Sequence, residues 1–154
     1  MIHESCRWSE AHQLWFFMPR KLSRQPYNEV IDAGKCVNLM LASPEPIAED
    51  GSGVILQKYL GFLEQRGTSE FLLVPGTNDC HLFILRTEES FDGVMSTFAS
   101  VIDLEGHLLM AELVIGNERK FEGAAWVGNW GPFKNEKGCI APPTARTSEV
   151  CTIA

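Results

Sequence analysis

Apolar and polar positions alternate in short runs along most of the chain, and β-branched and aromatic side chains recur between Gly, Pro, Asn and Asp. A period of two is what a half-buried strand requires, because successive side chains point to opposite faces of a sheet. The pattern predicts strands over 5–8, 13–19, 37–42, 71–74, 81–86, 95–103, 107–115 and 120–127. The punctuation between them has turn chemistry. Pro75-Gly76-Thr77-Asn78-Asp79 supplies a Pro, a Gly that tolerates positive φ and two side chains able to bond their own backbone. Asp103-Leu104-Glu105-Gly106 closes a second tight hairpin. An all-β meander is the expected architecture.

Two stretches resist that reading. Residues 54–63 (VILQKYLGFL) place apolar positions at spacings a helix also uses, and Gly61 weakens either assignment. Residues 19–34 are polar, contain Pro26 and have no period, so they read as a long excursion between strands, the kind of loop that often carries function. From 128 to 154 Gly, Pro, Thr and Ser dominate without period, and the segment reads as an irregular, disordered tail. Residues 1–127 form the folded unit in this division. Eight antiparallel strands suit a barrel, a sandwich or two propeller blades of four strands each.

A length of 154 residues leaves room for one compact domain or part of a larger one. With 45% hydrophobic and 21% charged residues and a mean hydropathy of -0.05, the chain can bury a core, which excludes global disorder. Thirteen Lys and Arg against twenty Asp and Glu give a net charge of -7, so a broad nucleic-acid-binding face would work against the field of the whole protein. A small anionic ligand is compatible with that charge, because one Arg and a bound cation reverse the sign locally. No apolar run approaches the roughly 20 residues of a membrane-spanning helix, so no membrane contact is expected of this chain. No basic segment followed by an apolar stretch marks a secretory signal at its start. The five cysteines are odd in number, form no Cys-x-x-Cys pair and make no zinc-like cluster with the four histidines.

Three groups of residues narrow the choice further. His3-Glu4-Ser5, Trp8-Ser9-Glu10 and an aromatic run ending in Pro19-Arg20 come first, followed by Asn38-Leu39-Met40-Leu41. Gly67-Thr68-Ser69-Glu70-Phe71 and Val74-Pro75-Gly76-Thr77-Asn78-Asp79 come next, then Arg86-Thr87-Glu88-Glu89 and Lys120-Phe121-Glu122-Gly123. In this order and spacing, residues 1–127 resemble the soluble calcium-activated nucleotidases, also called calcium-dependent apyrases. The resemblance implies a five-bladed β-propeller with calcium in its central channel and hydrolysis of nucleoside di- and triphosphates such as UDP, GDP, ADP and ATP. The matching part is the C-terminal two-fifths of such a propeller, about two blades, so the chain looks like a piece of a longer protein.

Residue by residue, the resemblance puts Glu4, Ser69 and Glu122 on calcium-contacting positions and Arg20 in the active-site region. Those residue types suit the chemistry. Calcium takes roughly six to eight oxygen ligands from carboxylates, hydroxyls, carbonyls and water. A guanidinium pairs with phosphate oxygens and neutralises charge developing on the transferred group. Viewed without the resemblance, Glu4 and Glu122 are acids at strand starts, which are commonly just solvated, and Arg20 is one cation among several near Lys21 and Arg24. Thr68 is an alternative to Ser69 under a shift of one residue, and Gly123 suits a close approach of backbone to an ion. Trp8, Trp15 and Phe16 read as core. No residue claims the role of general base, and His3 is read as an ordinary strand side chain. Two positions depart from the family pattern: Ala125 removes a second acid beyond Glu122, and Cys36 stands in place of a Gly.

On this reading the chain alone turns over nucleotide little, because the upstream blades are missing. A competing reading is an inactive propeller fragment that binds a partner or itself through exposed blade faces. A weaker one is a small unrelated barrel. By resemblance, the longer protein belongs in a secreted or endoplasmic reticulum and Golgi lumenal location, where calcium is plentiful.

Overall fold

The computed structural model describes residues 2–21, 26, 28, 36–45, 53–54, 56–60, 66–89 and 93–128. Within them lie eight strands: β1 (Ile2–Ser9), β2 (Leu14–Lys21), β3 (Leu39–Ser43), β4 (Leu56–Tyr59), β5 (Arg66–Leu73), β6 (His81–Glu89), β7 (Met95–Asp103) and β8 (Leu108–Asn117). They form two four-stranded antiparallel sheets, β1-β2-β3-β4 and β5-β6-β7-β8, each strand pairing with its sequence neighbour. The protein is therefore all-β, and two successive meanders of four strands fit part of a propeller. Among the described residues no helix is long and apolar enough to cross a membrane.

Burial alternates over the first part of β2, whereas β3 is buried at every position. Leu14, Phe16 and Met18 of β2 and Met40 and Ala42 of β3 turn inward from the first sheet. Phe71, Leu82, Ile84 and Ile102 meet them from the second, with Leu60 and Leu104 closing the cluster. The core thus lies between the sheets, and β5 runs beside β1 and β2. Polar side chains also cross this interface. Ser9 Oγ donates to Asp79 Oδ2 at 2.8 Å, which ties the β5–β6 turn to the end of β1. That turn needs left-handed backbone at Gly76, Asn78 and Asp79, which are residue types that tolerate it. Ser5 donates to Glu70, which also pairs with Arg7 at 2.8 Å.

Two expectations change. The ambiguous run over 54–63 contains β4, so its strand character prevails over the helical spacing. Residues 120–127, expected as a strand, are described without strand pairing. They are nonetheless tied down: Phe121 N donates to Thr97 Oγ1 at 3.0 Å, Thr97 Oγ1 donates to Arg119 O at 2.8 Å, and Trp126 Nε1 donates to Leu73 O at 2.8 Å. Their side chains are mostly exposed, and a strand needs a neighbouring backbone that this segment does not pair with. Of the expected core aromatics, Phe16 is fully buried, while Trp8 and Trp15 are half-buried and tilt against each other at 5.6 Å. The loop expected over 19–34 lies mostly outside the described residues, as does the tail expected after 128.

Exposed apolar side chains gather at the last edge. Leu108, Leu109, Leu113, Val114 and Ile115 of β8 are all exposed, as are Trp126 and Val127 beyond it.

Candidate functional site

The strands bring the predicted residues together through register shifts at Arg20, Glu4 and Ser69, the first where Ile2 is opposite Lys21 and His3 opposite Pro19. In the β1–β2 ladder His3 is opposite Pro19 and Ser5 opposite Met18, so Glu4 is the extra residue. In the β5–β6 ladder Thr68 is opposite Arg86 and Glu70 opposite Leu85, so Ser69 is likewise extra. A bulge bends its strand and re-aims one side chain. Here the re-aimed side chains of Glu4 and Ser69 meet the same group, the guanidinium of Arg20.

Arg20 is 4% exposed although it is charged. Its Nη1 donates to Glu4 Oε2 at 3.0 Å and to Ser69 Oγ at 2.9 Å, and its Nη2 donates to Glu89 Oε1 at 2.7 Å. The Ser69 hydroxyl is also 2.7 Å from Thr87 Oγ1, which extends the network from Arg20 into β6. The network then crosses to the segment after β8. Lys120 Nζ lies 3.0 Å from Glu89 Oε1 and 3.0 Å from Glu122 Oε1. Glu4, Arg20, Ser69 and Glu122 are therefore joined in one continuous cluster, with Thr87, Glu89 and Lys120 as links. Glu89 is held below the usual carboxylate range: partial burial works against this, but the hydrogen bond from Lys120 and the charge of Arg20 outweigh it. Lys120 is correspondingly raised, its burial outweighed by its bonds to Glu89 and Glu122.

Behind Arg20 the backbone comes close. A Cβ at Gly67 would stand 2.7 Å from Arg20 Cγ and 3.1 Å from Cys36 Sγ. Arg20 cannot yield cheaply, because its far end is fixed by three partners. Gly67→Ala is expected to cost about 1–3 kcal/mol, as overpacking typically does, and to pull Arg20 off Ser69. A denaturant midpoint within error of the wild type would show that the pocket is looser than these distances imply. Cys36, the departure from the family pattern, is thus a wall of the site, its half-buried thiol raised by burial against the pull of Arg20. Gly123 has a different outcome: an added Cβ there would meet nothing within 4 Å. Ala125 is exposed.

Sequence reasoning missed the roles of Glu89, Lys120 and Thr87, although all three lie within motifs that carried the resemblance. Their charges and hydroxyl at strand ends look like solvated positions until the network is traced.

The oxygen-only donor set of two carboxylates and a hydroxyl suits a hard cation such as calcium. Among the described residues, however, no group of three or more His, Cys, Asp or Glu is close enough to hold a metal by itself. The fit is one of chemistry and incomplete in number.

The chain is similar to known proteins over most of its length. The family model described as Apyrase matches residues 1–127. Soluble calcium-activated nucleotidase 1 of Rattus norvegicus is 33% identical over 127 residues, covering 82% of this chain and 30% of the relative. An apyrase of Caenorhabditis elegans is 29% identical over 126 residues, covering 82% of this chain and 35% of the relative. The apyrase of Cimex lectularius is 31% identical over 127 residues, 82% of this chain and 34% of the relative. The chain spans about a third of the length of these relatives. With its first 127 residues matched throughout and its candidate residues gathered in one cluster, the chain belongs to the apyrase family.

Proposed function

We propose that this chain supplies part of the active site of a calcium-dependent nucleoside di- and triphosphate phosphohydrolase built as a five-bladed propeller, in a secreted or lumenal compartment. The observation that carries the reading is the single network running from Glu4 through Arg20 and Ser69 to Glu89, Lys120 and Glu122. Glu4, Ser69 and Glu122 would hold the cation, leaving the rest of its roughly six to eight ligand positions to water, substrate or further strands. Calcium, when bound, supplies Lewis-acid polarisation of the phosphoryl oxygens.

The chain's own residues do the rest. Arg20 fixes the Glu4 carboxylate and the Ser69 hydroxyl at their bulges. Glu89 is the partner of Arg20 that leaves most easily, because it is 40% exposed and shares its oxygen with Lys120. Its departure frees Nη2 for a phosphate oxygen, so that the guanidinium neutralises charge on the transferred group. The general base is outside this set.

A chimera tests the proposal: residues 1–127 replace the matching third of the rat nucleotidase, and phosphate release from UDP and GDP is followed with calcium and with a chelator. The expected result is calcium-dependent turnover that falls by about a hundredfold or more on Glu122→Gln or Arg20→Ala, the usual scale for losing a charge-stabilising group. Full activity in both variants would remove these residues from the site. The exposed apolar row on β8 favours a second reading, a non-enzymatic module that associates through that edge. A folded chimera without turnover would move the weight there.

A further inference from the structure

Cys80 is disulfide-bonded, whereas Cys6 and Cys36 carry free thiols. The strand geometry explains why Cys36 is not its partner. Cys36 stands against Gly67 near the start of β5, and Cys80 lies beyond the end of the same strand. Those ends are roughly 20 Å apart at the rise of a strand, and cysteines with Cα atoms more than about 7 Å apart cannot be joined. Cys80 is a well-fixed end for a bond that arrives from elsewhere. It is 4% exposed, its N–H donates to Thr77 O at 3.1 Å, and its carbonyl accepts from Leu104 N at 3.2 Å. The chain returns to this end of the sheet after β8. Trp126 Nε1 donates to Leu73 O at 2.8 Å and its ring lies 5.7 Å from Phe83. Leu73 is opposite Leu82, two residues beyond Cys80.

We infer that Cys80 is joined to Cys139, so that a disulfide straps the segment after Gly128 to the β5–β6 turn. The chain has five cysteines, and with Cys6 and Cys36 free only Cys139 and Cys151 are left, both beyond the described residues and beyond the part matched by the family model. From Gly128 to Cys139 about 11 residues span up to ~36 Å, ample for a return to Cys80. Closing the shorter loop from the Trp126 anchor favours Cys139 over Cys151 by about threefold on length alone. Beside Cys80, Asp79 accepts from Ser9 Oγ at 2.8 Å and from Ala11 N at 3.4 Å, so the strap is fastened to the turn that ties the two sheets together. The Arg20 cluster sits at the other end of β5 and β6. Forming the bond breaks two S–H bonds and makes one S–S bond. The two electrons and two protons pass to an oxidant of the disulfide class, such as oxidised glutathione, which leaves as two thiols. Such bonds persist in oxidising compartments and are rare in reducing ones, so the strap and a secreted or lumenal location go together.

The test uses the full 154-residue chain, folded in a glutathione redox buffer, alkylated without reduction, digested and mapped by mass spectrometry. One linked pair is expected, Cys80 with Cys139, and Cys6, Cys36 and Cys151 should be alkylated. An alkylated Cys80 overturns the inference, and Cys80 joined to Cys151 overturns the choice of partner. Cys139→Ser, which leaves residues 1–127 unchanged, should melt roughly 5–15 °C below wild type, and wild type in reductant should fall by the same amount. Adding Cys80→Ala to Cys139→Ser should cost little more, because both changes remove one bond. Cys151→Ser should melt as wild type does. If Cys139→Ser does not fold, the peptide map and the response of wild type to reductant decide. A melting temperature that neither reductant nor Cys139→Ser lowers shows that no strap holds the turn, and overturns it.

Discussion

Arg20→Ala should lower stability by about 3 kcal/mol, the lower end of what breaking a buried ion pair costs, and the melting temperature by roughly 8 °C for a chain of this size. The lower end applies because the partners differ in their access to water. Glu4 and Glu89 are open enough to rehydrate, and Glu89 keeps Lys120, so neither becomes a stranded charge. Ser69 and Thr87 are buried and lose their link to the cluster, while keeping their contact with each other. The two bulges also lose what holds them in common, since the same Nη1 serves Glu4 and Ser69. Arg20→Lys should recover about half of the loss, because one ammonium cannot reproduce the fork that reaches three partners. Chemical denaturation of the three proteins checks this, and a loss below about 1 kcal/mol for Arg20→Ala, the level of an ordinary surface ion pair, would show that Arg20 is no organising centre.

The strand pattern was legible wherever one face was buried. Leu14, Phe16 and Met18 are buried and Trp15 and Phe17 half-buried, so burial alternates along a run that is apolar throughout. The same logic misjudged 120–127, where the Phe121 backbone N–H and the Trp126 side chain are anchored on a largely exposed segment with no ladder of its own. It also ended the fifth predicted strand early, at Arg86, because a charged residue reads as an exit to solvent. The structure continues β6 to Glu89 with Arg86 wholly buried. The candidate residues Glu4, Ser69, Glu122 and Arg20 were accessible only through the resemblance. What aims the first two is a bulge, and His3-Glu4-Ser5 or Thr68-Ser69-Glu70 carries no compositional mark of one. The register of a partner strand far along the chain decides it, and that information is tertiary.

Glu112→Ala should be the more damaging of two changes at the second buried charge cluster, costing about 4 kcal/mol, whereas Arg86→Met should cost about 1–2 kcal/mol. The asymmetry follows from how the carboxylate is shared. Glu112 takes Arg86 Nη1 on one oxygen at 3.1 Å and Arg66 Nη1 on the other at 2.6 Å. Removing it leaves two guanidinium groups side by side, one of them at 0% exposure, with no carboxylate between them. Burial already pulls Arg86 below the usual range of a guanidinium, and Glu112 is the main counterweight. Removing Arg86 instead leaves Glu112 still paired with Arg66, which also bonds Glu88 and lies 3.5 Å over the Phe98 ring. What is then lost is the donor that Arg86 offers to Asn38 Oδ1 and to the Arg66 carbonyl, and with it a polar tie between the two sheets. Methionine fills much of the same volume with flexible apolar chain, so the deficit is that of hydrogen bonds and not of a stranded charge. Glu112→Gln should fall between the two, keeping an acceptor for one arginine while losing the charge. Equal losses for Glu112→Ala and Arg86→Met in denaturant titrations would mean that the shared carboxylate is not what makes a buried arginine tolerable in β6.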